Sequence, residues 1–116
     1  IVASPFLRCV QTALAIADEL GLAVLLDQEL GEVYGPDVFG DSFKPPASGQ
    51  ACRSRRELRK ALESWEPRNA QPFSQPPKRL ICWDRILGKA PAWGERMPTA
   101  RLRYARRLLT YLSRSR

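Results

Sequence analysis

Histidine is missing from the 116 residues of the sequence. That absence excludes Ser-His-Asp and Cys-His triads, imidazole metal sites and histidine general bases drawn from this chain. Methionine is almost missing as well: Met97 is the single one, and the chain opens on Ile1. Because translation begins with methionine, the sequence reads as a processed chain or as a piece of something longer. No run comes near the ~18 consecutive apolar residues that span a bilayer, so no membrane partner is expected. The basic and apolar regions of a secretory leader are absent from the first residues.

Cysteine is scarce and odd in number. Cys9, Cys52 and Cys82 stand 43 and 30 positions apart with no C-x-x-C, so neither a zinc site nor a redox pair is encoded and no metal is expected. A Cys-based phosphatase loop needs an arginine six residues after its cysteine, and those positions hold Ala15, Leu58 and Gly88. The three thiols therefore read as small, partly buried hydrophobes in a reducing compartment. With no leader, the expected location is intracellular, in the cytoplasm.

What is present is a globular composition, 44% hydrophobic and 27% charged, with ten prolines, about twice the usual share. The length suits one domain, 1–116, able to bury roughly two thirds of its unfolded surface. Charge is lopsided. Residues 1–50 carry two basic and seven acidic side chains, a balance of −5, whereas residues 51–116 carry seventeen basic and five acidic, a balance of +12. Either the second half meets an anionic partner or the two halves complement each other.

Along the chain, Ile1-Val2-Ala3 is a short apolar run that ends at Ser4-Pro5. Serine at N-cap and proline at N1 predict a helix over 5–20, stopped by Gly21, with Leu7, Val10, Leu14, Ala17 and Leu20 on one face. Leu22–Leu26 then predicts a buried strand. Strand, helix and strand within 26 residues make a βαβ unit and point to an α/β protein with a parallel sheet. Residues 27–51 read as loop, with 36–53 and 67–79 as loop or insertion segments rich in proline and glycine. Ser54-Arg-Arg-Glu57 fits a capping box, followed by Leu58, Leu62 and Trp65 at helical spacing and a stop at Pro67. Residues 80–83 suit either a short strand or the start of a helix running to Leu87. A last helix begins at Pro98-Thr99 and places Leu102, Ala105, Leu109 and Leu112 on one face, amid many arginines.

Chemistry concentrates near the first helix. An arginine in the opening turn of a helix that follows a strand lies at the C-terminal edge of a parallel sheet, where α/β folds keep their ligand crevices. There, a guanidinium holds phosphate through two parallel hydrogen bonds. The decamer Ser4-Pro5-Phe6-Leu7-Arg8-Cys9-Val10-Gln11-Thr12-Ala13 resembles the S-x-x-x-R-x-x-x-T-A motif of the histidine phosphatase superfamily, the phosphoglycerate-mutase-like enzymes. Leu30-Gly31-Glu32-Val33-Tyr34-Gly35 resembles the L-x-E…G motif after that family's next strand. The 24 residues from Arg8 to Glu32 accommodate the one helix and one strand between these motifs.

The resemblance implies a partial three-layer fold of short parallel strands and helices. It gives Arg8 the task of gripping phosphate oxygens and Glu32 that of the acid protonating the leaving oxygen. Cationic donors stabilise the equatorial oxygens in phosphoryl transfer, and a carboxyl beside that charge is suited to proton donation. Tyr34 is expected near the pocket rim. In the family a histidine of an R-H-G motif attacks phosphorus and a second histidine helps hold the group, and this sequence has neither. The expectation is thus an incomplete or inactive relative that forms no phosphohistidine itself. The complete form would act on a phosphate monoester through a phosphohistidine, with no metal or organic cofactor. Expected partners are a phosphorylated substrate or free phosphate, and a homo-oligomer or other partner covering strand edges left open. The alternative is a non-enzymatic basic module in which residues 53–60 and 101–116 bind RNA or an acidic protein surface, with Tyr104 and Tyr111 stacking on bases.

Overall fold

The computed structural model describes residues 1–47, 49, 51–65 and 73–114. Strand β1 (Val2–Ala3) pairs in parallel with β2 (Leu25–Leu26), in the register Val2 to Leu25 and Ala3 to Leu26. Helix α1 (Leu7–Leu20) makes the crossover, so the expected βαβ unit is present. On the far side of β2, single parallel bridges join Val24 to Ile81 and Asp27 to Leu87. Residues 80–87 therefore touch the β2 line at Ile81 and Leu87 with a turn at Trp83–Asp84 between them, and the helical alternative for this stretch does not form.

The start of α1 differs from expectation. The helix opens at Leu7 behind Phe6, which caps it with no side-chain hydrogen bond. Pro5 and Phe6 form the bend that leaves the sheet instead, and Pro5 is buried at the strand ends. The carbonyl of Phe6 accepts from Cys9 and Val10 at 2.9 and 3.0 Å, which closes the first turn without a serine cap. At the other end Gly21 adopts φ +62° and donates its N–H back to α1 carbonyls, the left-handed stop that glycine makes at least strain.

Val10, Leu14 and Ala17 of α1 form the core with Val24 and Leu26 of the β2 line, Leu80, Ile81 and Trp83. Leu20, expected on the same face, is exposed because α1 outruns the sheet beneath it. Helix α2 (Pro36–Phe39) is one turn within the segment expected to be loop, opened by Pro36 at N1. Helix α3 (Arg55–Glu63) begins at the expected capping box: Ser54 Oγ accepts from the Glu57 N–H, and the Glu57 carboxylate accepts from the Ser54 N–H at 2.8 Å. It buries Leu58 and Leu62, each worth roughly 1.5–3 kcal/mol of transfer free energy. Trp65 has left the helix and meets Phe73 edge-on at 5.5 Å. The stop at Pro67 and most of the linker over 67–79 lie outside the described residues. Its described end, 73–79, includes one tight turn, Pro77–Arg79, and Ser74 is hydrogen-bonded to the Asp18 carboxylate.

Helix α4 (Met97–Arg114) has the expected leucine face, but that face points to solvent. Leu102 and Leu109 are 60% and 64% exposed. The inward side carries Ala100, Arg103, Tyr104, Arg107 and Tyr111, held by polar contacts to the 27–31 segment. Among the described residues, no helix is long and apolar enough to cross a membrane.

Candidate functional site

The C-terminal ends of the two strands set the site. Arg8 is the second residue of α1, immediately beyond the bend that follows β1. Glu32 follows the short turn Gln28–Leu30 that leaves β2, whose entry is capped by the Asp27 carboxylate accepting from the Glu29 N–H. Parallel pairing brings these two segments to the same edge. Arg8 Nη2 donates to Glu32 Oε2 at 3.0 Å, so the two side chains singled out from the sequence meet. The arginine side chain is 66% exposed and the glutamate 33%. The guanidinium also lies 5.1 Å from the Phe6 ring centre, and Val33 donates its N–H to Glu32 Oε1. The Arg8 guanidinium is thus oriented by one carboxylate and one aromatic face.

An open groove of about 590 Å³ runs from this pair along β1, lined by Ile1, Val2, Thr12, Ala13, Ile16 and Leu30 among others. The N–H groups of Leu25 and Asp27 donate to the carbonyls of Ile1 and Ala3, so by strand alternation the backbone groups of Val2 face the groove. A second cavity, about 290 Å³, lies beside Pro5, Leu26 and Gln28 and is closed by residues 52–55 before and at the start of α3.

Tyr34 does not reach a pocket rim. It is 2% exposed, packed edge-on against Phe39 and Trp93 at 5.8 and 5.2 Å. Its backbone carbonyl accepts from Gly94 and Glu95, which pulls the residue inward from Glu32.

Sequence reasoning missed the charged support behind the site. Asp27 is fully buried and accepts from Arg107 and from the Tyr111 hydroxyl, partners 80 and 84 positions away. Burial and the hydrogen bond to Asp27 push the Tyr111 hydroxyl above its usual pKa. Arg103 donates to both carboxylate oxygens of Glu95 at 2.7 Å and to the carbonyls of Glu29 and Gly31. That hydrogen bonding holds the Glu95 carboxyl below the usual range. No local signal reveals these pairs, because Arg103 and Arg107 look like surface cations on an amphipathic helix. The three cysteines are free and half-buried, as expected. No group of three or more Cys, Asp or Glu side chains among the described residues could hold a metal ion.

Parallel strands with a crossover helix define an α/β protein in which an arginine and a carboxylate meet at the C-terminal ends of the strands. The family model for the histidine phosphatase superfamily (branch 1) matches residues 1–80, and the chain belongs to that superfamily. No curated protein and no solved structure matches the chain.

Proposed function

We propose that these residues supply the phosphate grip and the proton donor of a site that acts on a phosphate monoester. Arg8 holds the phosphoryl oxygens, and Glu32 protonates the leaving oxygen. The observation that supports this reading is the 3.0 Å contact between Arg8 and Glu32 at the C-terminal ends of β1 and β2. The sequence contains no histidine, so a phosphohistidine does not form on these 116 residues. The nucleophile, and the remaining strands of a three-layer fold, come from outside them. The open edge of β1, with its apolar groove, suits an extended segment that covers it.

Binding of phosphate or vanadate, followed through amide shifts, tests the reading. Saturable shifts at Arg8 and Glu32 are expected, and Arg8→Ala should weaken binding at least ~10-fold, the scale of lost charge-assisted hydrogen bonds. Shifts confined to α4 would sink it. The alternative of a nucleic-acid module draws less support, since two arginines of α4, Arg103 and Arg107, are turned inward onto Glu95 and Asp27.

A further inference from the structure

Glu32 stands on a piece of chain without regular structure. Residues 32–34 belong to no helix or strand and lie between the turn Gln28–Leu30 and helix α2. A carboxylate there has backbone and rotamer freedom to lose before it can stay 3.0 Å from Arg8. The chain is nevertheless pinned on both sides of Glu32 by residues 94–104. Before it, the Gly31 carbonyl accepts from the Tyr104 hydroxyl at 2.7 Å and from Arg103 Nη1 at 3.2 Å. The same Arg103 nitrogen donates to the Glu29 carbonyl. After it, the Tyr34 N–H donates to the Glu95 carboxylate at 3.4 Å, and the Tyr34 carbonyl accepts from Gly94 and Glu95 at 3.0 and 3.1 Å. A Cβ on Gly35 would stand 2.0 Å from the Glu95 carbonyl oxygen, so a side chain there would push the two backbones apart.

Arg103 joins the two sides. Its Nε and Nη2 donate to the two oxygens of Glu95 at 2.7 Å, which leaves Nη1 for the two carbonyls. Only a planar guanidinium fork can serve a carboxylate and the neighbouring carbonyls at once. Further along the same inward side of α4, the polar contacts of Arg107 and Tyr111 end on the Asp27 carboxylate, five residues before Glu32. We infer that Arg103 and Tyr104 are positioning residues for Glu32, fixing the peptides that flank it so that its carboxylate keeps its place beside an anion on Arg8. The inference rests on the proposed roles of Arg8 and Glu32, and it names the part of the chain that sets their geometry. A proton donor has to stay within hydrogen-bond reach of the oxygen it serves, and a displacement of ~1 Å removes much of its effect.

Matched changes on α4 test this, with inorganic phosphate as the probe. Tyr104→Phe and Tyr111→Phe each delete one hydroxyl from the inward side of the same helix. Phosphate affinity is read from the Arg8 amide, and the placement of Glu32 from the phosphate-induced shift of its carboxyl carbon resonance. Both variants should bind phosphate within ~2-fold of the wild type, since Arg8 is untouched. The Glu32 response should fall at least ~3-fold in Tyr104→Phe, the scale of one lost hydrogen bond, and stay unchanged in Tyr111→Phe. Arg103→Lys should lower the response further and bring the backbone order parameters of residues 31–34 below ~0.6. A full response in both Tyr104→Phe and Arg103→Lys, or equal losses in the two tyrosine variants, overturns the positioning role. So does a wild-type Glu32 carboxyl that stays silent while phosphate binds at Arg8. Each of these outcomes leaves the phosphate grip of Arg8 standing. Absence of phosphate binding at Arg8 in the wild type overturns that grip, and the positioning role with it.

Discussion

Arg103 and Glu95 show what one pair of side chains does beneath the site. Their side chains are 12% and 8% exposed, and the guanidinium ties Glu95 to the carbonyls at the turn after β2. Hydrogen bonding from Arg103 holds the Glu95 carboxyl below its ordinary value of 4.5. A depressed carboxylate pKa contributes stability that is complete above the unfolded value and fades as pH falls through the folded one. Thermal midpoints of the wild type should therefore drop as pH is lowered below about 4.5, and Glu95→Gln should flatten that acid limb while lowering stability at pH 7. An unchanged limb in the variant would contradict the assignment. Arg8 is the opposite case. Its pair with Glu32 is largely in solvent, so Arg8→Ala should change unfolding stability by only about 0–1 kcal/mol. Loss of phosphate binding in that variant would then report the site and not the fold. Both members of this pair were legible, because the motif spacing places them at the ends of adjacent strands. Tyr34 was not, since its inward turn depends on Phe39, Trp93 and the 94–95 backbone.

Among the elements, local rules held where local bonds decide. The capping box at Ser54 and the glycine stop at Gly21 both form as read, because each satisfies orphan backbone groups within a few residues. Ser54→Ala should lower stability by about 1 kcal/mol in denaturant titrations, with α3 exchanging its amides faster. Periodicity identified α4 but not the side it buries. Leucine spacing alone favours an apolar face inward, yet the inward face carries two arginines and two tyrosines. Asp27 and Glu95 are the cause, since buried carboxylates need charged or hydroxyl donors and α4 supplies them. Leu62→Ala should cost about 2–5 kcal/mol, whereas Leu109→Ala, on the exposed face, should stay within about 0.5 kcal/mol. Equal costs by urea unfolding would place the leucine face in a buried environment.

For the whole molecule, the opposed charges of the two halves are partly spent on each other. Asp27 meets Arg107 and Asp37 meets Arg96, each pair joining the acidic first half to the basic second. Asp27→Asn should cost about 3–5 kcal/mol by leaving Arg107 with its charge unpaired in a largely buried place, and adding Arg107→Met should recover part of the loss. Additive losses in the two variants would show that the pair is not coupled. The sequence by itself determined the βαβ start, the capping box at Ser54 and the stop at Gly21, since each follows from short-range periodicity and local backbone bonds, while the family resemblance singled out Arg8 and Glu32. Tertiary structure alone decided which face of α4 turns inward and that residues 80–87 bridge to the β2 line at Ile81 and Leu87. It also decided that Arg53 and Arg55 close a cavity beside Pro5. These depend on contacts tens of residues apart, where the partner that sets a side chain's environment leaves no periodic trace in the chain around it.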